Sequence, residues 1–179
     1  LTILERIRNP LLRELWGCID TKTPVNAVQA TGTLTCSDAV SDGETVTIGD
    51  DVYEFDTDSS VTAGNIAVDV SGGATASDAV TALVAAITAS GDGTYSAADG
   101  AGDTVVITYG TYGTVGNAVA TTETCTNGAW GAATLENGVN GTAGKKGEFC
   151  WDADYIYVCG TKDMSGTNHY WERAAKASY

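Results

Sequence analysis

Ala30-Thr31-Gly32-Thr33-Leu34-Thr35-Cys36, followed by Asp42-Gly43-Glu44-Thr45-Val46-Thr47-Ile48-Gly49-Asp50-Asp51-Val52-Tyr53-Glu54-Phe55, is the stretch that decides the fold class. Side chains in a strand point alternately to opposite faces, so apolar residues recurring every second position specify half-buried strands. Residues 31–36 read as a strand, Asp42-Gly43 as a turn, 45–48 as its partner, and Gly49-Asp50-Asp51 as a second turn into 52–55. The expectation is an antiparallel meander of these strands.

Outward from there, residues 66–70 form a further expected strand, closed by Gly72-Gly73. The period then changes. Val80, Leu83, Val84 and Ile87 share one helical face, with Ser77 expected as the cap, Asp78 at the positive helix end and Gly91 as the stop. Residues 94–98, 104–109 and 119–126 return to the strand pattern between glycine-containing turns. The fold class that follows is α+β and β-rich: an antiparallel sheet or meander with one covering helix, an N-terminal amphipathic helix and a C-terminal β-hairpin element.

Three segments are expected along the 179 residues: an N-terminal helical docking segment at 1–22, an acidic β-rich body at 23–140, and a glycine hinge with an aromatic β element at 141–179. In the first, Ile3, Leu4, Ile7, Leu11, Leu12, Leu15 and Trp16 recur at helical spacing, with Pro10 ending one turn or opening a new helix behind Asn9. In the last, 148–152 and 155–159 read as a hairpin turning at Ala153-Asp154, and Tyr170-Trp171 as a third short strand. Phe149, Trp151, Ile156 and Val158 fall on one side of that hairpin, Tyr155 and Tyr157 on the other. So short an element is marginal in water and needs a surface to pack on.

Charge narrows the partners. From Pro24 to Gly144 there is no lysine, arginine or histidine against fifteen carboxylates, and the whole chain carries a net −14. A polyanion or an anionic leaflet meets only repulsion there, so neither nucleic acid nor membrane is an expected partner. No stretch approaches the roughly 20 apolar residues that span a bilayer. The start, Leu1-Thr2-Ile3-Leu4-Glu5-Arg6, lacks the charged-then-apolar order of a secretory signal.

Chemistry-bearing patterns are sparse. His169 is the single imidazole, and no HExxH, GxSxG or Walker A pattern occurs. Asp50 with Asp51, Asp56 with Asp58, Asp99 with Asp103 and Asp152 with Asp154 are acidic pairs that a carboxylate-rich body produces by coincidence. Asp56-Thr57-Asp58 offers oxygens to a hard cation but lacks the ligand spacing of an EF-hand. No catalytic, cofactor-binding or metal-binding residue is assigned, and the chain is not expected to be an enzyme. Cys18, Cys36, Cys125, Cys150 and Cys159 contain no CxxC pair and read as buried thiols; a diagonal bridge between Cys150 and Cys159 is the one pairing a hairpin would permit. The residues expected to make assembly contacts are Leu4, Ile7, Leu11, Leu15, Trp16, Phe149, Trp151, Tyr155, Tyr157 and Trp171.

The body segments quoted above, with Thr114-Val115-Gly116-Asn117-Ala118-Val119-Ala120-Thr121-Thr122-Glu123, resemble a Thr/Gly/Ala-rich domain recurrent in structural proteins of tailed bacteriophages. Gly141-Thr142-Ala143-Gly144-Lys145-Lys146-Gly147-Glu148, Asp154-Tyr155-Ile156-Tyr157-Val158-Cys159 and Trp171-Glu172-Arg173 are similar to a short β element of phage fibres and head-attached proteins. Residues 161–168 depart from a tighter version of that motif. The resemblance implies a virion component assembled in the host cytoplasm, a homo-oligomer and often a trimer, that decorates the capsid or forms a short head fibre. Its partners would be copies of itself and another virion protein such as the capsid shell. A tail or baseplate component, and a receptor- or carbohydrate-binding module, stay open as alternatives.

Overall fold

In the computed structural model, which describes residues 24–90, 93–144, 149–151, 154–162 and 169–175, the alternating stretches become eleven strands. The chain divides into two compact units: Val28–Val139, and a second unit made from both chain ends, Leu1–Ala27 with Asn140–Tyr179. The expected N-terminal helix, with Leu4, Ile7, Leu11, Leu15 and Trp16, lies outside the described residues, as do Cys18, Gly91, Ala153 and residues 163–168.

The larger unit holds β1 (Gln29–Cys36), β2 (Thr45–Ile48), β3 (Asp51–Asp56), β4 (Ile66–Asp69), α1 (Ala76–Ser90), β5 (Tyr95–Asp99), β6 (Thr104–Tyr112), a 3-10 turn at Thr114–Ala118, β7 (Thr121–Glu123) and β8 (Gly128–Trp130). Its strands make two four-stranded sheets, ordered β5-β6-β1-β8 and β4-β3-β2-β7. It is a β-rich α+β unit. Ala30, Leu34 and Cys36 of β1, Val46 and Ile48 of β2, and Val105 and Ile107 of β6 are all buried, which is the alternation in the sequence turned into one shared core.

The meander is corrected. β2 and β3 do pair antiparallel, but β1 pairs with β6 on one side and β8 on the other, in a different sheet from β2. Both edges of β1 are therefore occupied. Between them, buried Val40 donates its N–H to the Ala74 carbonyl, carrying the chain from one sheet to the other. Asp42-Gly43 turns the chain at the far end of β3, where Gly43 donates to the Phe55 carbonyl. A second correction concerns direction: β4 runs parallel to β3, because the connection through residues 57–65 crosses back before pairing.

Three smaller expectations shift. Val80, Leu83 and Ile87 are buried as read, but α1 touches β4 and β3 of one sheet and β5, β1 and β6 of the other, so it serves both. Its cap is Thr75 and not Ser77: Asp78 N–H donates to Thr75 Oγ1 at 3.3 Å while Thr75 N–H and hydroxyl donate to Asp78 Oδ2, a reciprocal capping box. The strand expected at 119–126 contracts to β7, since Val119 closes the 3-10 turn onto Gly116 and Cys125 turns into the core.

Candidate assembly surface and carboxylate loop

The smaller unit is organised by β9 (Phe149–Trp151), β10 (Tyr155–Lys162) and β11 (His169–Ala175), in the order β11-β10-β9. Antiparallel register sets Tyr157 opposite Cys150 and Cys159 opposite Trp171, and these four side chains make the unit's small core. Tyr155 packs against it, with the Arg173 guanidinium 4.6 Å from its ring centroid. Cys150 and Cys159 are buried as thiols. Gly144 is required where it is: a Cβ there would lie 3.0 Å from Cys159 Sγ and inside the Trp171 ring contact.

Polar bonds fasten the N-terminal entry to this sheet. Trp171 N–H donates to Asn26 Oδ1 at 2.7 Å, and Asn26 Nδ2 returns a bond to the Trp171 carbonyl at 3.1 Å. The Asn26 side chain thus imitates a neighbouring strand on the outer edge of β11. Trp171 Nε1 donates to the Thr142 carbonyl, and Thr142 N–H donates to the Val25 carbonyl. That part of the expected glycine hinge is consequently bonded chain. Pro24 and Asn26 line a cleft of about 620 Å³ with Tyr157, Trp171, Glu172 and Arg173.

The opposite face is apolar and open. Val158 pairs with Phe149 and Ile156 with Trp151, so these four share one side; Phe149 is 49% exposed, Ile156 43% and Val158 46%. Of the residues expected to make contacts, Tyr157 and Trp171 are only 4% and 3% exposed and spend their area inside the unit. Trp151 and Tyr155 are half-buried. Phe149 keeps an open ring, and Ile156 and Val158 join it. The alternation of Ile156 and Val158 with Tyr155, Tyr157 and Cys159 carries that signal in the sequence. Asn26 and Thr142 had no sequence signal, because edge bonding by a side chain has no periodicity.

In the larger unit, carboxylates gather at one loop. Oxygens of Asp42, Asp56 and Asp58 lie within 4.8 Å of one another. Their bonds are local: Asp42 Oδ1 accepts from the Thr57 N–H at 2.7 Å and from its hydroxyl at 2.8 Å, and Asp56 Oδ1 accepts from the N–H groups of Asp58, Ser59 and Ser60. Nearby, buried Glu54 accepts from the Asn65 amide and the Thr62 N–H. The Thr57 bonds hold the Asp42 carboxyl below its ordinary range, and the Asn65 bond, then Thr62, does the same for Glu54. These carboxylates fix a loop.

Cys36 and Cys125 are buried near each other in the core of that unit. Burial, followed by the charges of Glu44, Cys36 and Glu123, pushes the Cys125 thiol up to about 12. Burial and Asp103 raise Cys36 as well. Such thiols are poor nucleophiles.

No protein-family model, no curated protein and no solved structure matches this chain.

Proposed function

We propose that this chain is a non-enzymatic structural component of a bacteriophage virion, decorating the capsid or forming a short head fibre, with the unit built from both chain ends making the contacts. The observation that carries the reading is segregation. The cation-free stretch and its carboxylates fall almost wholly within Val28–Val139, whereas an adjacent set of exposed Phe149, Ile156 and Val158 lies on the smaller unit. Exposed large apolar side chains on the larger unit are valines, Val28, Val115 and Val139.

The physical logic supports that division. Uniform negative charge keeps closely spaced copies soluble and rejects nucleic acid, and it removes every trypsin-type cleavage site from the outward body. Contiguous exposed apolar side chains mark an interaction site. Burial of Tyr157 and Trp171 leaves few rings for stacking on sugars, so assembly is preferred to carbohydrate binding.

Two experiments test it. Purified tailed-phage particles carrying this gene should yield peptides of the chain in fixed ratio to the major shell protein; particles that lack them end the virion reading. In solution, deleting residues 1–22 or 141–179 should each lower the mass of the oligomer, while an unchanged mass in both cases removes the terminal unit from assembly.

A further inference from the structure

We propose that Cys36 and Cys125 are a cross-linking pair, joined by a disulfide within one chain when the protein meets an oxidant of the small-molecule disulfide class. Gly128 supplies the geometry. In the β1–β8 ladder Cys36 lies directly opposite Gly128, and the bond from the Ser37 N–H to the Asn127 carbonyl makes them a non-hydrogen-bonded pair, the kind in which side chains stand closest. A Cβ on Gly128 would lie 2.7 Å from the Cys125 Cβ and 3.5 Å from its Sγ, so Cys125 fills the space that the glycine leaves open. Opposed Cβ atoms in such a pair are about 5 Å apart, which puts the Cys36 and Cys125 Cβ atoms within about 8 Å of each other, a span that includes the roughly 4 Å of a disulfide. Both side chains are buried in the same core, and Cys36 is among the groups that raise the Cys125 thiol.

The bond would join two sheets. Cys36 ends β1, whereas Cys125 lies between β7 of the other sheet and β8, with its Sγ donating to the Thr45 carbonyl of β2 at 3.5 Å. A bridge there staples the larger unit where the chain crosses from sheet to sheet. It encloses β2 to β7 and α1 in one loop, and long loops are where a cross-link removes most entropy from the unfolded chain. Cys150 and Cys159 belong to the separate core of the smaller unit.

The chemistry is two successive exchanges. One cysteine thiolate attacks oxidised glutathione, breaking its S–S bond, forming a mixed disulfide and releasing one glutathione. The second thiolate attacks the protein sulfur of that mixed disulfide, forming the Cys36–Cys125 bond and releasing the second glutathione. The two cysteine protons end on the two glutathiones; the pair loses two electrons and glutathione gains them. Because both thiols are buried and raised, the folded core reacts slowly and the oxidant enters by transient opening. Reducing surroundings therefore keep two thiols, and oxidising ones lock the unit.

The inference concerns the core of the larger unit and stands apart from the virion reading. Its test incubates the full chain at pH 8 with oxidised glutathione in sub-denaturing urea, blocks remaining thiols with iodoacetamide in full denaturant, and maps the products by mass spectrometry. A protease that cuts after Asp and Glu separates all five cysteines, whereas trypsin has no site from Pro24 to Gly144. The Cys36 and Cys125 peptides should appear linked, from protein that stays monomeric on a non-reducing denaturing gel. Both cysteines alkylated, either one carrying only glutathione, or either one joined to Cys18, Cys150, Cys159 or a second chain would overturn the proposal. As a second readout, the oxidised protein should melt at least about 5 °C above the same sample with dithiothreitol, and Cys125→Ala should abolish that difference. An equal difference in Cys125→Ala would assign it to another pair and overturn the proposal as well.

Discussion

Asp56 holds three successive backbone N–H groups on one carboxylate oxygen, which makes it the residue on which the loop after β3 depends. Asp56→Ala strands those donors and should destabilise the unit by about 1–3 kcal/mol in urea denaturation, whereas Asp56→Asn keeps the acceptor and should recover most of it. Four neighbouring carboxylates make a pH prediction. Asp42, Glu54 and Asp69 are held low by hydrogen bonds; burial opposes this in Glu44, but bonds from Thr126 and Ser41 prevail. A depressed folded value means that the stabilisation is complete above the unfolded value, near pH 4.5, and is lost as pH falls through the folded values. The melting temperature should be flat from about pH 5 to 7 and fall steeply below about 4. Asp42→Asn should soften that fall. The thiols behave oppositely: with Cys125 pushed up to about 12, iodoacetamide at pH 8 should leave Cys36 and Cys125 unmodified until denaturant is added.

Elements were legible in the sequence to the extent that local periodicity sets them. The stripe Val80, Leu83, Ile87 gave α1, and alternation placed β1, β2, β3, β5 and β6 within a few residues. Their ends were less legible, since Thr75 and Ser77 are equally good cap residues and only the bond to Asp78 distinguishes them. Thr75→Ala should cost about 1 kcal/mol in thermal melting and Ser77→Ala close to nothing; equal losses would put the cap at the wrong residue. Glycine placement carries more weight than its count suggests. A Cβ on Gly116 would lie 2.7 Å from the Ala30 Cβ and 2.8 Å from Tyr109 Cδ1, so Gly116→Ala should destabilise by about 1–3 kcal/mol through overpacking.

For the whole molecule, net charge and its distribution set the behaviour. With −14 on the chain, and with a stretch that has no cation to neutralise its carboxylates, copies repel one another. Salt at about 0.1 M shrinks the screening length to ~10 Å, so the assembly proposed above should tighten as sodium chloride rises. Sedimentation across a salt series checks this; dissociation on adding salt would contradict the proposed assembly through apolar contacts.

The sequence alone determined that the chain is β-rich with one amphipathic helix in its acidic body, because strand and helix periods are written in neighbouring residues. It also determined which part repels polyanions, since charge is additive along the chain. Tertiary structure alone decided that β1 leaves its neighbour β2 for β6 and β8, that β4 runs parallel to β3, and that Asn26 closes the edge at Trp171. Each of these is a choice among partners distant along the chain. Alternation says that a strand has two faces and two edges; it carries no information about which strand will fill them.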